Sequence, residues 1–247
     1  MLRSCAVTLT VVFSACAATP PSPRPPVQAS LPASPSAPPV VTQGPIRLPL
    51  MPAAFALDQV PIGSWAEYAW GLADLAASRR VERLAVVARG PDGVTIEASE
   101  EETFDERVVQ ATTYAAGGEL RGESRRNVFQ MGDDQPMEAP TRPARRYARV
   151  DPSKLVGTET ITVRAGTFTA KHYRDRTAYG EQVDFWIDDA VKPFGLVKLD
   201  AEQKQHPALG NHFDVELVGS GSDAVPLITR PARPFDVEYL KNRGSKG

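Results

Sequence analysis

Among 247 residues, few side chains sit at spacings that could do chemistry. Gly122, Glu123 and Ser124 begin a nucleophile elbow, but Arg126 stands where the last glycine belongs and no helix signal follows. "GSGSDA" at 219–224 fits one variant of a dinucleotide-binding turn, yet Pro226 interrupts the helix it needs and too few residues remain for a βαβ unit. The three histidines are His172, His206 and His212. A zinc site wants three or four converging ligands, and nothing completes the set, although His206 and His212 could approach each other across a turn. His172 shares strand parity with Phe168 and Ala170, which predicts a satisfied core or groove-lining histidine. "EASEEETFDER" lacks the ligand spacing of a calcium loop, so its acids are expected on a solvated edge that discourages sheet association. No catalytic residue, metal or cofactor is predicted.

Cys5 and Cys16 are the only cysteines, which excludes structural disulfides from everything downstream. Arg3 and the amino terminus precede an uncharged, mostly apolar run from Cys5 to Ala15, too short for the roughly 20 residues of a permanent span. Charge, apolar run and small residues follow in the order of a secretory signal peptide, assigned to 1–15. Phe13-Ser14-Ala15-Cys16 resembles the lipobox of bacterial lipoproteins, with Phe13 in place of the usual aliphatic. That resemblance implies lipid attachment at Cys16. Ala17, where Asp would favour inner-membrane retention in such a sorting system, points to the outer membrane facing the periplasm. The alternative is an A-x-A cut after Ala17 that releases a soluble periplasmic or secreted protein.

Twelve of the 23 prolines lie between Pro20 and Pro52, where Arg24 and Arg47 are the only charges. Such a segment cannot build a core and favours polyproline II geometry. Residues 16–55 therefore read as a lipidated cysteine and a disordered tether, with a ligand for a partner domain as the less common role. A formal net charge of −2, with acids and bases interspersed, argues against a nucleic-acid partner. The last stretch, 230–247, leans basic and reads as a flexible tail.

Between 56 and 229 the dominant period is two. Phe213, Val215 and Leu217 alternate with Asp214 and Glu216; Val183, Phe185 and Ile187 alternate with Asp184, Trp186 and Asp188. Turn signals at "RGPDGV", "AAGGE" and "RAGT" separate the runs. About ten strands are expected, near 64–70, 80–89, 94–101, 107–114, 119–130, 156–163, 167–175, 182–188, 195–203 and 212–219. They should form one antiparallel meander, with a long loop over 132–146 dividing the sheet. The Ala- and Leu-rich stretch 67–84 leaves one short helix open as an alternative.

"GTETITVRAGTFTAKHYR" followed by "VDFWIDDAVKPFGLVKLD" resembles a recurring pattern in exported bacterial β-sheet proteins of unknown biochemical function. These in turn resemble the lipoprotein-sorting carriers and receptors of the cell envelope. The match covers 157–200. It implies a mainly β, highly curved, half-barrel-like sheet with a concave face able to bind an acyl chain or another lipoprotein. It carries over no catalytic residues. Trp65, Trp70, Phe185 and Trp186 are the groove candidates under that implication, and core packing is the competing role for each. The chain is thus expected to be a non-enzymatic envelope protein. It either binds an apolar ligand or lipoprotein, or acts as a structural or interaction module without a ligand cavity.

Overall fold

The computed structural model describes residues 51–72, 79–101, 106–115, 124–140, 147–176, 181–202 and 212–239. Cys16, the signal peptide, most of the proline-rich stretch and His206 lie outside them. Thirteen strands are described: β1 (Met51–Ala53), β2 (Trp65–Leu72), β3 (Arg80–Gly90), β4 (Gly93–Glu101), β5 (Arg107–Tyr114), β6 (Arg126–Met131), β7 (Met137–Glu138), β8 (Tyr147–Arg149), β9 (Leu155–Val163), β10 (Gly166–Arg176), β11 (Gln182–Ile187), β12 (Leu196–Glu202) and β13 (His212–Gly221). Each of the ten expected strands has its counterpart, although 119–123 of the one expected over 119–130 lie outside the described residues. The stretch left open to a helix is strand at both ends, in β2 and β3. Residues 73–78 between them, which hold most of its Ala and Leu, lie outside the described residues.

Eleven strands form one antiparallel sheet in the order β7-β6-β5-β4-β3-β2-β13-β12-β11-β10-β9. The expected single meander is in fact two meanders, β2 to β7 and β9 to β13, joined where β13 pairs with β2. The break falls within and just beyond the stretch expected as a dividing loop. That stretch itself contributes the short strand β7. β1 and β8 form a separate parallel pair.

Period-two patterning decides which face is dry. Trp70, Val215, Leu199, Phe185 and Tyr173 are successive cross-strand partners across β2, β13, β12, β11 and β10, and all are buried. Tyr173 and Phe185 stack with centroids 5.4 Å apart, and Phe213 tilts against Trp70 at 6.0 Å. Each large apolar side chain buried here contributes about 1.5–3 kcal/mol. The row below it, through Ala66, Leu84 and Ala98, continues the apolar face into the first meander. This face is covered from within the chain. Ala53, Leu57, Val60, Val191 and Phe194 join its core cluster, and Arg89 ties the covering segment down by donating to the carbonyls of Leu57 and Val60. Residues 51–55, at the end of the segment read as tether, are therefore structured and in part buried.

The sheet is open but rolled. Three strand spacings separate β10 from β13, roughly 14 Å if flat. Yet the Ala165 amide in the β9–β10 turn donates to the Leu217 carbonyl at 3.1 Å. Register shifts in the β3–β4, β9–β10, β11–β12 and β13–β2 pairs supply the bends that rolling requires.

The other face of the first meander is strapped by residues 222–239. Glu97 is 3% exposed, and its carboxylate accepts from the backbone amides of Leu227 and Ile228 at 2.7 and 3.1 Å. Its strand, β4, lies between β3 and β5, so the expectation of a solvated acidic edge is overturned at this residue. Further along, Arg230 donates to the carbonyls of Asp133 and Asp134, and Arg233 exchanges backbone hydrogen bonds with Pro136 and Glu138. The described part of the basic tail is thus held against the sheet, because the Arg233 backbone finds partners at β7 and the Arg230 side chain finds carbonyls in the loop before it.

Candidate functional site

β9, β10 and β11 turn their outward face into a cluster of charged and aromatic side chains. His172 on β10 lies opposite Trp186 on β11, and Arg174 lies opposite Asp184. Glu159 on β9 lies opposite Ala170, one step diagonal from His172. Alternation puts these five residues on the face opposite Tyr173 and Phe185, a face that also carries buried Ala170 and, packed against the core, Ile161 and Phe168.

The His172 ring stacks on Trp186 with centroids 4.6 Å apart and 14° between planes. Its Nδ1 lies 2.7 Å from Glu159 Oε1 and its Nε2 lies 2.6 Å from Asp184 Oδ1. Both ring nitrogens of His172 are thus engaged by carboxylate oxygens. Asp184 also accepts from Arg174 Nε at 2.8 Å and from Gln182 at 2.7 Å. Burial raises the Asp184 pKa, but the hydrogen bonds from Arg174, His172 and Gln182 together outweigh it and hold the carboxyl below its ordinary range. Glu159 is lowered by its hydrogen bonds from His172 and then from the Trp186 indole.

This arrangement limits the chemistry. Both imidazole nitrogens are engaged, so His172 offers no lone pair to a metal or to a substrate proton. Among the described residues no group of three His, Cys, Asp or Glu side chains could hold a metal ion. His172 is the satisfied histidine expected from its parity, though its satisfaction comes from carboxylates on the outward face. Beside the cluster, Lys154, Arg174, Asp175, Arg176 and Gln182 line a cleft of about 190 Å³. Its cations are paired: Lys154 with Asp175 at 3.4 Å and Arg174 with Asp184 at 2.8 Å.

The four groove aromatics do not converge. Trp70 and Phe185 are 6% and 7% exposed on the core face. Trp186 stands on the opposite face against His172, with the Lys198 ammonium 5.2 Å from its ring. Trp65 alternates with Trp70's neighbours onto that same outer side. There it donates to Asp223 at 2.7 Å, packs beneath the Arg83 guanidinium, and lowers the Asp223 pKa through that hydrogen bond. His212 lies 3.4 Å from Asp200, apart from His172.

Two polar atoms on the core face stand out. Tyr68 Oη and Trp70 Nε1 are buried without a hydrogen-bond partner among the described residues. Burial drives the Tyr68 pKa strongly upward. Sequence reasoning missed these, along with Glu159, Asp184 and Glu97. Parity had already put Asp184 and Trp186 on one face, but only the β10–β11 register brings His172 to them.

No protein-family model matches the chain, and no curated protein matches it. Among solved structures, the chain is similar to one titled as the crystal structure of MucB, with a TM-score of 0.31 and 13% sequence identity. That alignment covers 70% of this chain and 57% of MucB, so the chain spans little more than half the length of the protein it matches.

Proposed function

We propose that the chain is a non-enzymatic cell-envelope lipoprotein whose β domain is an interaction module. Residues 1–15 export it, lipid on Cys16 holds it at a membrane, and the proline-rich stretch sets the sheet at a distance where it meets a protein partner. The observation that carries the module over the carrier is the filled core face: Trp70 and Phe185 are packed in one cluster with Leu57, Val60, Val191 and Phe194. Protein side chains occupy the space an acyl chain would need. Titration of the mature chain with a fluorescent fatty acid is expected to show no saturable binding; saturable binding lost in Trp70→Ala would overturn the module. Intact mass tests the anchor separately. A diacylglycerol adduct on a chain starting at Cys16 is expected, and an unmodified chain starting at Ala18 refutes it.

A second reading, the apolar-ligand carrier, rests on Tyr68 and Trp70. Buried donors without acceptors cost about 1–3 kcal/mol each. The ester or carboxyl oxygen of an acylated ligand would relieve either donor. The same titration decides between the two readings.

A further inference from the structure

Residues 222–239 lie on the first meander on terms unlike the rest of the fold. None of them is fully buried, none joins the core cluster, and beyond β13 the described chain is regular only in a helical turn at 237–239. Val225, Phe235 and Val237 are 71%, 41% and 49% exposed. Yet Glu97 and Met137, which the strap contacts on the sheet, are 3% and 1% exposed. A segment that covers dry groups while burying little of its own is held mainly by hydrogen bonds, and such segments open at free energies below that of the fold.

The root of the strap is fixed more firmly than the remainder. The Trp65 indole lies across Gly219 and Gly221, where a Cβ at Gly221 would fall 2.6 Å from the indole nitrogen. That nitrogen donates to Asp223 at 2.7 Å, and the Ala224 amide donates to the Gly63 carbonyl at 2.9 Å. Glycine in "GSGSDA" thus makes room for an aromatic clamp. Val225 and Pro226 follow, both exposed. Beyond them the strap is held at three places: the Leu227 and Ile228 amides on Glu97, the Arg230 guanidinium on the Asp133 and Asp134 carbonyls, and Arg233 to Tyr239 on β7 and the Asp134 side chain.

On β7, the end strand of the sheet, the strap makes a single parallel bridge, from Arg233 to Met137. Pro231 has no amide for the preceding rung, so the pairing cannot lengthen in that direction. The edge is therefore occupied by a segment that pairs with it minimally.

We propose that residues 225–239 are a latch that opens as one unit about Val225 and Pro226 while the sheet and the Trp65 clamp stay folded, and that the β7 edge and Glu97 carboxylate it uncovers receive an extended partner segment. Such a partner pairs parallel to β7 and sets two consecutive backbone amides on Glu97, as the strap itself does. This rests on the interaction-module reading and names its site and the regulation of that site.

The test follows amide exchange in the full chain. The amides of Leu227, Ile228, Arg233, Asp236 and Glu138 should exchange through one shared opening, about a hundredfold or more faster than those of β12 and β13, with Ala224 in the slow set. Arg230→Ala alters an exposed side chain and should speed all five by a common factor of about ten, Leu227 and Ile228 included. A synthetic peptide of residues 225–239 added in trans meets only the open form. It should bind Arg230→Ala about tenfold more tightly than the parent, and the same residues in scrambled order should bind neither. The proposal is overturned if the five amides exchange only with global unfolding, if Arg230→Ala affects only its neighbours, or if the peptide binds parent and variant alike or binds neither. Absence of both peptide and fatty-acid binding removes the latch site alone. Saturable fatty-acid binding without peptide binding removes the module as well.

Discussion

Asp184 is the hub of the outward cluster, and Asp184→Asn tests whether that cluster stabilises the second meander. The substitution keeps size but replaces one acceptor oxygen with a donor. The bond to His172 suffers most, since both side chains are largely shielded, at 7% and 14% exposed. A hydrogen bond to a charged group in such a site is worth about 1.5–3 kcal/mol. Arg174 is 51% exposed, so its share is that of a surface pair, about 0–1 kcal/mol. Gln182 can turn its own amide to meet the new one and should cost little. Together these give a loss of about 2–3 kcal/mol, read by urea unfolding, or a fall in melting temperature of roughly 5–10 °C. The pH dependence fixes the mechanism. The folded pKa of Asp184 lies below its unfolded value of about 3.9, so its contribution is fully present above that value. It is lost as pH falls through the folded pKa. The gap between parent and variant should therefore be widest above about pH 5 and close on further acidification. A stability change under about 0.5 kcal/mol at neutral pH, or a gap that persists unchanged at pH 3, refutes the account.

Glu97→Gln should release the strap: one of the Leu227 and Ile228 amides then faces an amide donor, costing about 1.5–3 kcal/mol. Faster exchange at those two amides, with little change across β9–β11, is the expected pattern. Gly93→Ala should be more severe, because a Cβ at its φ of +130° would fall 1.7 Å from the Tyr114 carbonyl oxygen. Loss of at least about 3 kcal/mol, or failure to fold, is expected in a denaturation series, whereas Gly157→Ala, with open space around its Cβ, should stay within about 1 kcal/mol.

Much of the fold was legible in the sequence, for a local reason. Alternation in "HFDVELVGSG" and "QVDFWIDD" records burial residue by residue, so strand identity and facing could be taken from each segment alone. What the sequence withheld was non-local. Nothing in β2 or β13 announces that they pair with each other, so two meanders looked like one. The same limit hid the site. His172, Asp184 and Glu159 lie 12 and 13 residues apart in the chain, and their meeting depends on two registers at once. Glu97 looked solvated because its acidic neighbours dominate local composition. Its burial comes from a strap 130 residues away.

Composition also misled about what the aromatics do. Trp65, Trp70, Phe185 and Trp186 were grouped as one apolar set, but strand parity splits them two and two across the sheet. On the core face they face neighbours of the same chain. On the outer face each is paired to charge: Trp65 to Asp223 and Arg83, Trp186 to His172, Glu159 and Lys198. An indole that stacks on the His172 ring and donates to a carboxylate is positioned by polar contacts, and burying it under an acyl chain would strip water from the neighbouring carboxylates at a cost of several kcal/mol. The surface around Trp65 and Trp186 is thus chemically suited to a polar, hydrogen-bonding partner.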